Sequence, residues 1–340
     1  MNEHKLLNNN DLNLFNHFSL LPEEILIIIM HYLGFTLGTR YRLMRVNKSL
    51  NLILKNKIYM ERVKDVDLRK YRRICNKKLS ELTFIDTLII NSCKINDNGL
   101  KNLTNLKSLS ILYRGESGVC SIGSQITDDS LKNLTNLTCL HLSRTKEINS
   151  TSVSKLINLK ELNLDWSYCL IDKATCNLVN LEKLSIVTDM QLNPSCLNKL
   201  TNLTFLNVRM TDGLDSQCLQ YFPKLKVLHV PPEMNDHGLS LLPNPQLLSS
   251  LVINYKITNE GLLYVNNLKN LFVSNEYRVT IDGVIQLEKL EHLKYMNKPF
   301  GKVVKMKLGV CRNLKSINGK TLEELQIPRT QIKNISKRKL

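Results

Sequence analysis

The sequence predicts an α/β fold: a solenoid whose curved parallel sheet lines the concave face, with short helices or 3₁₀ turns outside, preceded by a small all-α domain. Three observations carry this. A unit of the form L-x-x-L-x-L recurs along the chain, a turn signature recurs between the units, and one apolar stretch, "SLLPEEILIIIMHYLG" from Ser19, has no counterpart later.

The units begin at Ile85, Leu106, Leu137, Leu159, Leu181, Leu203, Leu225, Leu248, Leu268 and Leu290, at intervals of 21, 31, 22, 22, 22, 22, 23, 20 and 22 residues. Two weaker ones start at Val303 and Leu322. Apolar residues at offsets +3 and +5 alternate with polar ones at +2, +4 and +6, the pattern of a short half-buried strand. A second apolar group, such as Leu192, Leu197 and Leu200, has the spacing of a helical or 3₁₀ face. Between the two stands a turn: "INDNGL" from Ile95, "ITDDSL" from Ile126, "MNDHGL" from Met234 and "ITNEGL" from Ile257. Asp, Asn or Thr there can cap the helix that begins next.

These residues resemble the leucine-rich-repeat family, in the I-T-D-x-G-L form found in F-box-linked solenoids. The resemblance covers residues 79–297. One such unit cannot bury its own leucines, and stacked units can. Each buried Leu contributes about 1.5–3 kcal/mol, so the interfaces between neighbours supply most of the stability. The long interval marks an insertion, "YRGESGVCSIGSQ" from Tyr113 to Gln125. It is expected on the rim of the concave face, either as a tolerated loop or as a specificity loop.

Composition narrows the function. The net charge is +17, but the excess flanks the repeats. Residues 40–78 carry 14 basic and 3 acidic side chains and residues 298–340 carry 12 and 2, whereas residues 79–297 carry 20 and 21. A solenoid reading a phosphate backbone would place its basic residues along the repeats, so nucleic acid is not expected as the partner. The dense run "RKYRRICNKK" from Arg69 reads as a solvated basic linker, with nucleic acid or an acidic partner as the alternative. The nine cysteines contain no C-x-x-C pair and are expected to be free, small buried hydrophobes in a reducing compartment. The longest apolar run, Ile25–Met30, is far short of the roughly 20 residues that cross a bilayer. No secretory leader is evident, so a cytoplasmic or nuclear protein is expected. The abundance of Lys, Asn and Ile fits AT-rich coding, as in protists and the large DNA viruses that infect them.

No catalytic motif is present, and neither an enzyme activity, a metal nor a cofactor is expected. The outward offsets instead present a mixed surface. Tyr113, His141, Arg144, Asp165, Trp166, Arg209, His229, Tyr255 and Phe272 are the candidate target-binding residues. Aromatic and Arg side chains on such a face suit a protein interface.

The opening stretch reads as a helix. Pro22 fits its first position, and Glu23 and Glu24 complement its positive end. Ile25, Leu26, Ile28, Ile29, Tyr32 and Leu33 cover more than one face, so it must be buried on two sides. A second helical pattern follows through Leu43, Val46, Leu50, Ile53 and Leu54. So few short helices make a weak domain without a neighbour. The segments Leu21-Pro22-Glu23-Glu24-Ile25-Leu26, Tyr32-Leu33 and "VNKSL" from Val46 to Leu50 resemble the F-box, with Leu50 where that family usually has tryptophan.

The resemblance implies a substrate-recognition adaptor of a cullin-type ubiquitin ligase, which would be a host's ligase for a viral chain. Leu21, Pro22, Ile25, Ile29, Leu33, Val46 and Leu50 would then contact, or support contact with, the Skp-type adaptor, and the repeats would hold an unidentified protein target. Outside that complex a monomer is expected. The other reading is a protein-binding scaffold whose N-terminal helices only cap the solenoid. The expected organisation is a polar, disordered segment 1–18, an F-box-like domain 19–63, a basic linker 64–78, repeats 79–297, and degenerate repeats with a basic cap 298–340.

Overall fold

The computed structural model describes residues 64–68, 75–90, 95–112, 126–145, 147–167, 175–188, 194–214, 216–273, 278–295 and 311–321. The expected helical domain 19–63, with Leu21, Pro22, Ile25, Ile29, Leu33, Val46 and Leu50, lies outside the described residues, as does the insertion Tyr113–Gln125.

Among the described residues, thirteen strands form one sheet in sequence order. They are β1 Asp65–Asp67, β2 Thr87–Ile90, β3 Ser108–Leu112, β4 Cys139–Ser143, β5 Glu161–Asp165, β6 Lys183–Val187, β7 Phe205–Asn207, β8 Val227–His229, β9 Ser250–Ile253, β10 Asn270–Val273, β11 His292–Tyr295, β12 Ser316–Ile317 and β13 Lys320–Thr321. Pairing is parallel from β1 to β12. The register stacks each unit on itself: Leu140 faces Leu162, then Leu184, Leu206 and Leu228. All five are fully buried. Leu109 pairs with Leu140 in the same register, so the 31-residue interval leaves the ladder unshifted.

The sheet starts inside the stretch expected as a basic linker, because β1 occupies Asp65–Asp67 and a helix follows at Asn76–Ser80. At the far end β12 and β13 form an antiparallel hairpin. Its turn is Asn318-Gly319, both at positive φ, which matches the right-handed twist of the strands it joins.

Opposite the sheet run the short helices, and the turn signature explains their starts. Asn96, Thr127, Asn149 and Thr258 each accept a hydrogen bond from the backbone N–H two residues on, and Asn235 accepts from Gly238. The first helical residue does a second job. The Asp97 carboxylate accepts from the Thr127 N–H and hydroxyl, both at 2.8 Å. Asp236 accepts from the Thr258 N–H at 2.8 Å and hydroxyl at 2.6 Å. Asp128 takes the Asn149 N–H, and Asn259 the Thr280 N–H. Each of these first helical residues, three aspartates and an asparagine, thus ties its own helix to the cap of the next.

The third helical position must make room for that side chain. A Cβ on Gly261 would stand 2.1 Å from the Asp236 carboxylate, and one on Gly283 2.2 Å from Asn259. Ser130 and Ser152 occupy the same place in their units, and their hydroxyls donate to Asp97 and Asp128. Units without the signature use 3₁₀ turns, as at Pro194–Lys199 and Ser216–Tyr221.

A third ladder runs along the other edge of the strands. The Nδ2 of Asn136, Asn158, Asn180 and Asn202 donates to the carbonyls of Thr104, Thr135, Ile157 and Val179 at 2.9–3.1 Å. Each of these asparagines immediately precedes a unit's first leucine.

The expectation of free cysteines is corrected at one place: Cys176 is disulfide-bonded. Pairing depends on proximity in the fold, which the absence of a C-x-x-C spacing does not exclude. Cys75, Cys139 and Cys311 are free thiols, and Cys218 is not in a disulfide. Burial pushes the Cys311 thiol up to about 11. Among the described residues, no helix is long and apolar enough to cross a membrane.

Candidate binding face

Strand residues alternate between the core and the concave surface. In β5, Leu162 and Leu164 are buried while Glu161, Asn163 and Asp165 face out. Offsets +2, +4 and +6 therefore form three rows across the sheet. The middle row runs Ser110, His141, Asn163, Ser185, Asn207, His229, Val252 and Phe272. It places His141, His229 and Phe272 on one surface. His141 and His229 stand four strands apart, about 19 Å, too far to act on one group.

Asp165 is half-buried at the end of β5 and accepts a hydrogen bond from the Ser143 hydroxyl at 3.3 Å. Arg144 and Trp166 follow the ends of β4 and β5. Both adopt left-handed backbone conformations, at φ 53° and 54°. Their N–H groups donate to the Asp165 and Val187 carbonyls at 2.7 and 2.8 Å, extending the ladder by one step. Just behind them, Thr145 and Ser167 are buried, and their hydroxyls lie 3.1 Å apart. That buried pair holds the turn, so the backbone strain is imposed by its surroundings. Arg144 is exposed and Trp166 half-buried.

Thr188 shares this offset but is buried, at 1% exposed, and its hydroxyl has no partner among the described residues. The outer row is also less free near β9, because Asn254 donates to the carbonyls of Pro231, Pro232 and Met234. Tyr113 lies outside the described residues.

Toward the C-terminal half the face is aromatic. Phe205 meets the His229 ring edge-on with centroids 5.5 Å apart. Burial, and then the Arg209 charge, push the His229 pKa below its usual value, and its Nδ1 has no partner among the described residues. Lys294 lies over the Phe272 ring at 4.9 Å. Tyr255 is 55% exposed, and Lys256 approaches its ring. Exposed Arg209, with Met210 beside it, completes this area.

Sequence reasoning passed over the +2 row, which carries a cluster of polar groups. His141 Nε2 lies 3.4 Å from Cys139 Sγ and 2.9 Å from Glu161 Oε1. Lys183 Nζ donates to the other Glu161 oxygen at 3.0 Å. The Cys139 sulfur, and then Glu161, raise the His141 pKa against its burial. Burial favours the protonated Glu161 carboxyl, but hydrogen bonds from Lys183 and His141 outweigh it and hold the pKa below the usual range. The signal was present in the sequence: Cys139 and Glu161 hold the same offset in successive units.

A groove also lies elsewhere, at the edge lined by Asn136, Asn158, Asn180, Lys160 and Glu182. Its asparagines are committed to the ladder, and Lys160 pairs with Glu182 at 3.0 Å. It is a solvated structural edge, so the binding surface is sought on the concave face.

No family model matches the sequence, and no curated protein matches it. Solved structures do. A chain of the Rad7–Elc1 complex in yeast is 17% identical with a TM-score of 0.53, over 91% of this chain and 83% of that one. An internalin, InlF of Listeria monocytogenes, is 20% identical with a TM-score of 0.52, over 76% and 81%. A leucine-rich-repeat protein of Leptospira interrogans is 18% identical with a TM-score of 0.46, over 77% and 80%. With the thirteen-stranded ladder of the described residues, the likenesses to the Rad7–Elc1 chain and to the internalin establish the fold as that of a leucine-rich-repeat solenoid.

Proposed function

We propose that the chain is a substrate-recognition adaptor of a Skp-cullin-F-box ubiquitin ligase. Residues 19–63 dock on the Skp-type adaptor, and the concave face holds a protein target. The chain works in the cytoplasm or nucleus, without chemistry of its own in the transfer of ubiquitin. One observation carries the reading: an L-P-E-E-I-L segment and a V-N-K-S-L segment stand directly ahead of a leucine-rich-repeat solenoid. The likeness to a chain solved in a two-protein complex, Rad7 with Elc1, fits a solenoid that works bound to another protein.

The target side rests on the composition of the face. Trp166, Arg144, Arg209, Tyr255, Phe272 and the two histidines supply the aromatic and Arg anchors that dominate protein interfaces. A second reading draws on the start of the sheet. β1 begins at Asp65, immediately after residues 19–63 in sequence, where a solenoid needs a cap. In that reading the chain is a binding scaffold with no ligase contact.

Capture of a purified Skp-type adaptor by the full chain separates the two. Replacing Leu21, Pro22 and Ile25 by Ala removes apolar contacts of about 1.5–3 kcal/mol per large side chain, enough to abolish capture. Binding by wild type and not by the variant supports the ligase reading. No binding by either folded protein leaves the capped scaffold.

A further inference from the structure

We infer that Cys139, His141 and Glu161 form a binding site for a divalent transition metal of the Zn²⁺ class on the concave face. The three donor atoms all lie within 4.8 Å of one another, and no other three His, Cys, Asp or Glu donors gather so among the described residues. Thiolate, imidazole and carboxylate are the ligand types Zn²⁺ takes, at about 2.3, 2.0 and 2.1 Å. Around a tetrahedral ion those bond lengths put ligand atoms about 3.4–3.6 Å apart. The observed separations of 3.4 Å for sulfur to nitrogen and 2.9 Å for nitrogen to oxygen need adjustments of about half an ångström. The sulfur and the carboxylate oxygen lie within 4.8 Å and would close by up to about 1.2 Å, which rotation of the Cys139 and Glu161 side chains supplies.

The geometry favours a metal over a catalytic relay. A thiol activated through histidine needs the thiol on one ring nitrogen and the orienting carboxylate on the other. Here the same nitrogen, His141 Nε2, faces both Cys139 and Glu161. A single N–H cannot point well at two acceptors, whereas three donors converging on one point are what an ion requires. Lys183 adds the support such sites carry, holding the second Glu161 oxygen while the first faces the histidine.

The fold fixes the arrangement. Cys139 and His141 share the outer face of β4, and Glu161 pairs with Cys139 in the register of β5. None of the three is fully buried, so an ion would carry three protein ligands and keep a fourth position open to the hollow of the solenoid. A water, or a donor from a bound protein, would fill it. This inference stands independently of the ligase reading.

The test uses the full chain, stripped by chelator and titrated with Co²⁺ as a spectroscopic probe, then with Zn²⁺ in competition. The site predicts saturable binding of one equivalent with a thiolate-to-cobalt charge-transfer band, displaced by Zn²⁺. Cys139→Ser should abolish the band. His141→Gln and Glu161→Gln should each weaken binding by about tenfold or more, and Lys183→Ala by about tenfold or less. Exposed Cys75→Ser should change nothing. A second readout needs no variant: Zn²⁺ should slow alkylation of Cys139, located by mass spectrometry, by about tenfold or more. The inference is overturned if binding does not saturate, if the band survives in folded Cys139→Ser, or if Zn²⁺ leaves the alkylation rate of Cys139 unchanged.

Discussion

Gly261→Ala should change sign depending on Asp236. In the native chain a Cβ at residue 261 would stand 2.1 Å from Asp236 Oδ1 and 2.9 Å from its Cγ. The carboxylate cannot swing away freely, because it accepts the Thr258 N–H at 2.8 Å and hydroxyl at 2.6 Å. Overpacking of this kind costs about 1–3 kcal/mol. Asp236→Ala alone strands a backbone N–H and a hydroxyl that had a charged acceptor, which costs about 2–4 kcal/mol for the pair. With that carboxylate gone, the nearest remaining neighbour is the Ile257 side chain at 3.3 Å, which yields by a few tenths of an ångström. Alanine is then the better helix residue by about 0.5–1 kcal/mol. The same Gly261→Ala change therefore destabilises the native chain and is neutral to stabilising in the Asp236→Ala background. Urea midpoints and slopes of the four proteins, followed by circular dichroism, measure this. Equal effects of Gly261→Ala in both backgrounds would refute the reasoning that the acid of one repeat dictates glycine in the next.

Three further outcomes follow. Arg144→Gly relieves a left-handed Arg at φ 53°, a strain of about 1–2 kcal/mol partly offset by the about 0.5–1 kcal/mol entropy of glycine. The variant should therefore gain about 0.5–1 kcal/mol in urea, while target capture, assayed beside it, should fall. Asn180→Ala leaves the Ile157 carbonyl without its side-chain donor and should cost about 0.5–1.5 kcal/mol by the same measurement. His229 has its pKa lowered from 6.5, by burial first and Arg209 second. The unfolded chain therefore takes up a proton near pH 6.5 that the folded chain does not, so this contribution is whole above that pH and is lost as pH falls through it toward the folded value. The stability of His229→Gln should fall less between about pH 8 and pH 5 than that of wild type; parallel curves would contradict the assignment.

Much of the fold was legible because a repeat shows the same residue in the same environment many times. The leucines at offsets 0, +3 and +5 announce buried tiers, and Thr127 and Asn149 announce caps, since each does its work within a few residues of its place in the chain. What crosses between units was harder to see. The glycine at 261 looks like a turn residue until Asp236 is placed beside it. The asparagines before the first leucines look like polar edge residues until their carbonyl partners appear one unit back. Arg144 and Trp166 gave no sign of their backbone conformation, because neither residue type favours positive φ. The Cys139–His141–Glu161 cluster needed two rows and two strands at once. Reading cysteines as small buried hydrophobes hid the one that lies on the face.

Hydrogen–deuterium exchange of the full chain, with and without a Skp-type adaptor, tests the central claim most directly. The account predicts slowed exchange confined to residues 19–63, with peptides from β4 to β10 unchanged and left for the target. Protection on the concave strands instead, or no protection in residues 19–63, would contradict it.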